Sequence, residues 1–360
     1  MPKARPSKKK KSNAKTFTLN RQLQKWLIGI FTMMIAAAYG WMADTATSIR
    51  YPDVNQPSLL YSTETRDDLG LTMSRAIDQA KESVTLVIYT ITDPAIIKSL
   101  KNKSLENCSV KVICDAKTSP DIEQALGTNV KVIKRFIDGL MHQKILIIDG
   151  QQTWIGSANM TGASLRHHNN LVTAIDSQAL ALAAIAKANS YTSTDRLATL
   201  GHHTFTVGGQ KLELSFLPDD NAALQRIKNL IASAKKTLRI AMFTWTRIDL
   251  AQAVIDAQKR GVEVQVAVDS NSAAGASAKV VELLKKGGVP IKFNRGGASL
   301  LHHKFMYIDS KTLVNGSANW TKAAFEKNDD CFIIMHDLTE EQSEFMNRLW
   351  KIIDSETRAR

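Results

Sequence analysis

Cysteine is scarce, with three in 360 residues. Cys108, Cys114 and Cys331 are odd in number and show no metal-ligand spacing, so they imply neither a disulfide framework nor a metal site. Acidic residues are missing from positions 1–25, which carry nine Lys or Arg. Charge of either sign is then missing from residues 26–43 (WLIGIFTMMIAAAYGWMA). Eighteen uncharged residues are just enough to cross a bilayer. Trp26 and Trp41 bracket the run as interfacial aromatics do, and basic residues stand only on its N-terminal side. The expectation is one uncleaved transmembrane helix over 26–43, with residues 1–25 cytoplasmic and the rest of the chain extracytoplasmic. A cleaved signal peptide is the alternative, since positions 42–47 offer small residues. The length of the apolar run and the extended basic region count against it. A broad basic surface is also lacking. The formal net charge is +13, nine of those charges lie in the tail, and 13 − 9 leaves +4 for the remainder. A domain that gathers nucleic acid usually carries more. Beside a membrane span, the run 8–11 reads as a topogenic, anionic-lipid-binding element before a nucleic-acid arm.

What the chain does contain is one pattern written twice. Residues 140–161 read LMHQKILIIDGQQTWIGSANMT, and residues 301–321 read LHHKFMYIDSKTLVNGSANWT. Each copy holds a His, a Lys two residues on and an Asp five beyond that: His142, Lys144 and Asp149, then His302, Lys304 and Asp309. Each closes on Gly-Ser-Ala-Asn, with Ser157 and Asn159 in the first copy and Ser317 and Asn319 in the second. Alternating apolar residues (Ile145, Ile147; Phe305, Tyr307) make each segment a β-strand whose side chains alternate faces. His and Lys at i and i+2 then point the same way. Two such strands side by side would bring two imidazoles and two ammonium groups into one pocket.

Such a pocket suits a phosphodiester. Two lysines and two Ser/Asn pairs can neutralise and hydrogen-bond the non-bridging oxygens, where the transition state holds its charge. One neutral imidazole can attack phosphorus and form a phosphohistidine. The other can protonate the leaving oxygen and then deprotonate the incoming water or alcohol. The lysines take the place that Mg²⁺ fills in other phosphoryl-transfer sites, so neither a metal nor another cofactor is expected.

The two motifs resemble the H-x-K-x4-D signature of the phospholipase D superfamily, including its trailing G-S-x-N, and the resemblance covers residues 59–350. It implies that His142 is the nucleophile and His302 the general acid. The motif is specific for the reaction and weakly specific for the substrate, because the superfamily acts on lipids and on nucleic acids. Members also tend to place an Asn and an acidic residue after G-S-x-N, the acid backing a catalytic His. Asn328 and Asp330 match in the second copy. The first copy has His168 and Asn170 there, so the carboxylate is missing. An Asn oxygen still accepts a bond from an imidazole N–H, but it cannot stabilise an imidazolium as a carboxylate does.

The rest of the chain repeats as well. Residues 80–92 align without a gap on residues 234–246, each reading as a helix end, a turn and a buried strand. Strands at 110–116 and 262–270 follow. Then come helices at 121–126 and 277–286 and short strands at 130–133 and 291–294. Alternating strands and helices give an α/β class, and the long repeat fits a duplicated domain. The expected organisation is a tail (1–25), a membrane helix (26–43), a linker (44–58) and two α/β halves (59–205 and 206–360). The halves should pack about a pseudo-twofold axis with the site on that axis. Gly296 and Gly297 read as a flexible loop leading to the site before a phosphate cradle. Met160 and Trp320 read as core. The reading favoured is phospholipid head-group hydrolysis at a membrane, with phosphatidyl transfer and nuclease activity as alternatives. One membrane span, where cardiolipin synthases of bacteria often carry two, counts against transfer. Head group, acceptor and oligomeric state are not written in the sequence.

Overall fold

The computed structural model describes residues 20–47 and 49–359, with side chains of residues 39–47 outside the description. Two units are distinguished, residues 1–50 and residues 51–360. In the first, a helix runs Arg21–Thr47 and its described side chains are exposed, Trp26, Phe31 and Met33 among them. Among the described residues no helix is long and apolar enough to cross a membrane. The expected span over 26–43 is not shown by the described residues, and part of it lies outside them. The helix opens on the polar and charged residues Arg21, Gln22, Gln24 and Lys25, ahead of its apolar run. Positions 39–43 of the expected span have no described side chains, and most of the basic tail lies outside the described residues.

The second unit holds two mixed sheets. The strands of the first are β1 (Leu59–Ser62), β2 (Ser83–Ile88), β3 (Ser109–Asp115), β4 (Lys131–Arg135), β5 (Lys144–Ile148), β6 (Gln152–Gly156) and β7 (Leu171–Asp176). Their order is β1-β7-β6-β5-β2-β3-β4. The second sheet uses β8 (His202–Val207), β9 (Gln210–Leu217), β10 (Thr237–Met242), β11 (Glu263–Val268), β12 (Ile291–Phe293), β13 (Lys304–Ile308), β14 (Thr312–Gly316) and β15 (Asp330–Met335). Its order is β12-β11-β10-β13-β14-β15-β9-β8. In each half three parallel strands joined by helices lie beside an antiparallel meander, β5-β6-β7 or β13-β14-β15. The α/β duplication is therefore real in three dimensions. The boundary expected after residue 205 falls inside β8, because β8 and β9 form one hairpin.

Strand periodicity builds three apolar layers. Val84, Leu86 and Ile88 of β2 pack outward under helices Leu69–Asp78 and Pro94–Leu105. Val87, Ile145 and Ile147 face inward and share one cluster with Ala241, Phe305 and Leu313 of the second half. Leu238, Ile240 and Met242 form the outer layer of that half. Since the middle layer belongs to both halves, they are not independent domains. Met160 and Trp320 are buried as expected, Trp320 edge-on against Trp245 with ring centres 4.5 Å apart.

The glycine that opens each Gly-Ser-Ala-Asn tail is required by strand spacing. A Cβ on Gly156 would lie 2.2 Å from the Leu171 carbonyl oxygen, and one on Gly316 would lie 2.4 Å from that of Cys331. Only glycine lets β6 and β14 approach their neighbours this closely.

Candidate active site

β5 and β13 begin at Lys144 and Lys304, so each motif histidine stands just ahead of its strand. The two strands lie in different sheets and do not pair, contrary to the side-by-side arrangement expected. The histidines are brought together by crossed contacts between the halves. Met141 bridges Asp329, with His142 N–H donating to Asp329 O (2.8 Å) and Asp329 N–H to Leu140 O (2.8 Å). Leu301 bridges Asn169 in the matching way, with His302 N–H donating to Asn169 O (3.0 Å) and Asn169 N–H to Leu300 O (2.9 Å). Positions 141 and 301 correspond, as do 169 and 329, so this exchange is what a local two-fold produces. Asp115 and Asp269, at the ends of β3 and β11, fix the two segments by accepting Met141 N–H (3.2 Å) and Leu301 N–H (3.1 Å).

Each histidine therefore finds its partner in the other half. His142 Nδ1–H donates to Asp330 Oδ1 at 2.8 Å, and His302 Nδ1–H donates to Asn170 Oδ1 at 3.0 Å. The amide orientation of Asn170 is set by Nδ2 donating to Ser164 O at 2.8 Å, which leaves Oδ1 as the acceptor. Both rings consequently carry their proton on Nδ1 and keep Nε2 for chemistry. Asn328 Nδ2 donates to the second Asp330 oxygen at 3.2 Å.

Lys144 and Lys304 are buried, and each Nζ donates to the carbonyl of its own motif histidine at 2.6 Å. Burial lowers the Lys144 ammonium to about 7, against the pull of Asp330. Lys304 is driven well below its ordinary value by burial and then by the charge of Lys144. His302 is lowered strongly, first by burial and then by Lys304 and Lys144. His142 is lowered by burial, with the Asp330 carboxylate opposing. Burial would raise Asp330, but the charge and hydrogen bond of His142, with Lys144 and Ser317, hold it below the usual range. Such a cluster is short of negative charge and ready for an anion.

The remaining expected residues fall in two groups. Asn159 and Asn319 are half-buried beside the motif tails; Asn319 Oδ1 accepts Thr244 N–H (3.3 Å), and Asn159 Oδ1 is buried with no partner. Ser157 and Ser317, expected as phosphate donors, are fully buried, with their hydroxyls turned to the residues that back the two histidines. Their hydroxyls donate to Asn170 Oδ1 (2.8 Å) and Asp330 Oδ1 (2.6 Å) and accept the N–H of Leu171 and Cys331. Asp149 and Asp309 are absent from the cluster. Asp149 accepts the backbone N–H groups of Lys81, Glu82 and Ser83, and Asp309 those of Lys235, Lys236 and Thr237. Five strand residues of about 3.3 Å each put these carboxylates some 16 Å along from the motif lysines. Both aspartates adopt left-handed backbone (φ 52° and 51°), which their residue type tolerates. Among the described residues, no group of three or more His, Cys, Asp or Glu is placed to hold a metal ion.

Two aromatic residues were missed in the sequence. Tyr89 packs edge-on against His142 and under Lys144 Nζ (5.2 Å each). Phe243 stands likewise by His302 (4.9 Å) and Lys304 Nζ (4.8 Å). The gapless alignment of 80–92 on 234–246 pairs these two positions, which is the signal that could have found them. His168 also lies beside His302, ring centres 6.1 Å apart.

The family model described as "Cardiolipin synthase, PLD-like domain" matches residues 73–191 and 227–354, one copy in each half. A mitochondrial cardiolipin hydrolase of Mus musculus is 31% identical over 141 residues, covering 38% of this chain and 62% of that protein. A phospholipase D of Rickettsia conorii is 28% identical over 123 residues, covering 34% and 60%. The chain thus spans less than two thirds of the length of these relatives. The crystal structure of a phosphatidylserine synthase of Haemophilus influenzae superposes with a TM-score of 0.66 at 14% identity, covering 85% of this chain and 87% of that one. That likeness is one of fold.

Proposed function

The chain belongs to the phospholipase D superfamily; from this premise we propose that it is a phosphodiesterase that hydrolyses phospholipid head groups at a membrane surface through a phosphohistidine. The observation that carries the proposal is the reciprocal pairing of His142 with Asp330 and of His302 with Asn170 around two buried lysines. His142 Nε2 attacks phosphorus, and the bond from phosphorus to the leaving oxygen breaks as His302, which takes up a proton at Nε2 when the anionic phosphate enters beside it, delivers that proton to the leaving oxygen. Water then attacks the phosphohistidine, His302 takes its proton, and the P–N bond breaks. Phosphorylating an imidazole makes it cationic. The carboxylate of Asp330 on His142 Nδ1 supports the nucleophile's role there, and the neutral amide of Asn170 suits a ring that gives and takes a proton each cycle. Lys144, Lys304, Asn159 and Asn319 are assigned to the non-bridging oxygens.

Lipid is favoured over nucleic acid by the modest charge of residues 26–360 and by the exposed apolar helix next to the basic tail. The names of the mouse and Rickettsia relatives point the same way. The family model's description favours one second reading, transfer of the phosphatidyl group to an alcohol on the same intermediate. The full chain should release head group from mixed phospholipid vesicles, with activity retained in EDTA. His142→Ala and His302→Ala should each lower turnover by roughly 10³-fold or more. Degradation of single-stranded DNA with vesicles left intact would overturn the lipid reading. A phosphatidyl-alcohol product in the presence of glycerol would establish transfer.

A further inference from the structure

The two seams that deliver each histidine to its partner share a backbone pattern but differ in side chains. At the His142 seam Asp329 is gripped by arginines: Arg135 Nε and Nη2 reach one oxygen at 3.2 and 2.9 Å, and Arg196 Nε reaches the other at 2.6 Å. Asn169 holds the equivalent place at the His302 seam, and its Nδ2 donates to Glu64 Oε1 at 2.5 Å. The same Glu64 oxygen accepts from His303 Nε2 at 2.7 Å. His303 Nδ1 is buried without a partner, so Nε2 is the ring nitrogen that donates to Glu64. Thr63 completes the contact, its hydroxyl donating to His168 O (2.8 Å) and accepting Asn170 N–H (3.0 Å). Ser62 Oγ steadies the second Glu64 oxygen at 2.7 Å. One turn, Thr63–Thr65 with its Ser62 cap, thus holds both strands of the seam: residues 168–170, which carry the acceptor for His302, and His303, its immediate neighbour.

We propose that this turn is the positioning clamp of His302, with Glu64 as its centre. The clamp rests on the catalytic reading of His302, and it acts through distance. His302 Nε2 is aimed by the Nδ1–Asn170 bond, and that bond needs segments 168–170 and 301–303 held in one register. A displacement of about 1 Å in such a group can lower turnover by roughly a hundredfold. Internal duplication supplies the control. Gln143 occupies the first-copy position equivalent to His303 and uses Nε2 as a donor to Asp330 O (3.2 Å). A glutamine at 303 therefore keeps a donor for Glu64.

The test uses the full chain and bis(p-nitrophenyl) phosphate, whose second step needs His302 as base whatever the leaving group or lipid preference. Glu64→Ala should lower kcat by up to about tenfold, no more than loss of the Asn170 bond itself, with KM unchanged. In an Asn170→Ala background the same change should add little, because both act on one bond, whereas with Arg196→Ala at the other seam the losses should multiply. Wild-type kcat in Glu64→Ala, or full multiplication with Asn170→Ala, would overturn the clamp. Should Glu64→Ala not fold, His303→Gln and His303→Leu decide. Near-normal kcat for Gln with a large loss for Leu supports the clamp, and equal kcat in the two overturns it. Vesicles left untouched by a wild-type enzyme active on the diester would count against lipid hydrolysis alone.

Discussion

Asp330 and Asn170 occupy equivalent places in the two copies, yet one offers a histidine a charge and the other only a dipole. The difference matters most at the ring that becomes cationic on phosphorylation. Asp330→Asn keeps the hydrogen bond and removes the counter-charge, so kcat on vesicles should fall roughly 10²- to 10⁴-fold. Asn170→Ala removes a neutral contact and should cost about tenfold. The reverse order would mean that His302 carries the phosphoryl group. The lysines invite a second measurement. Lys144 is held near 7 in the fold by burial, against 10.5 for the free side chain. A basic group lowered in this way binds fewer protons folded than unfolded between those values, so its contribution to stability improves as pH rises through that window. Lys144→Met should be inactive yet more stable than wild type at pH 7, by about 1–4 kcal/mol. That advantage should shrink toward pH 10. Urea unfolding at both pH values measures it, and an advantage that does not change with pH would contradict a charge-based origin. An anion bound in the site would restore the lysine protons, so phosphate should bind more weakly as pH rises above 7.

At the scale of elements, period two and the repeat made most of the second unit legible. The expected strands at 110–116 and 262–270 are β3 and β11 within a residue or two, and the motif strands are β5 and β13. Periodicity speaks only about one strand, however, and the site is made by partners far apart in sequence. Asp330 is 188 residues from His142. Nothing in the strand pattern could say that each downstream residue crosses to the other half's histidine. The same limit explains the two reassignments. Asp149 and Asp309 repeat in the motif because they close the turns before β2 and β10, which are the strands paired with β5 and β13. Ser157 and Ser317 repeat because each orients the residue behind a histidine. A repeated polar residue marks a shared environment, and only geometry separates contact with substrate from support of the groups that make it. The clamp at Glu64 was invisible for a further reason: it has no twin, since the other seam is held by Arg135 and Arg196.

For the molecule as a whole, charge and apolar surface are concentrated at the N-terminus. Nine of the thirteen net positive charges lie in residues 1–25, and the exposed apolar side chains from Leu23 to Ile35 follow at once. An enzyme held at a lipid surface meets its substrate at high effective concentration and has little need of electrostatic capture. A nuclease drawing DNA from solution depends on phosphate contacts and loses about 10³- to 10⁵-fold in affinity between 50 and 200 mM salt when it makes six to ten of them. Turnover on neutral phosphatidylcholine vesicles should therefore change by less than about threefold over that salt range, because apolar insertion is insensitive to screening. Vesicles doped with phosphatidylserine should show a steeper decline, since the basic tail adds roughly 1 kcal/mol per charge near an anionic surface and that attraction is screened. Replacing Trp26 and Phe31 by Ser should depress activity on both kinds of vesicle while leaving hydrolysis of a soluble diester unchanged. Equal loss on soluble and vesicular substrate would place the effect in folding, and no loss on either would mean that the apolar helix serves something other than access to lipid.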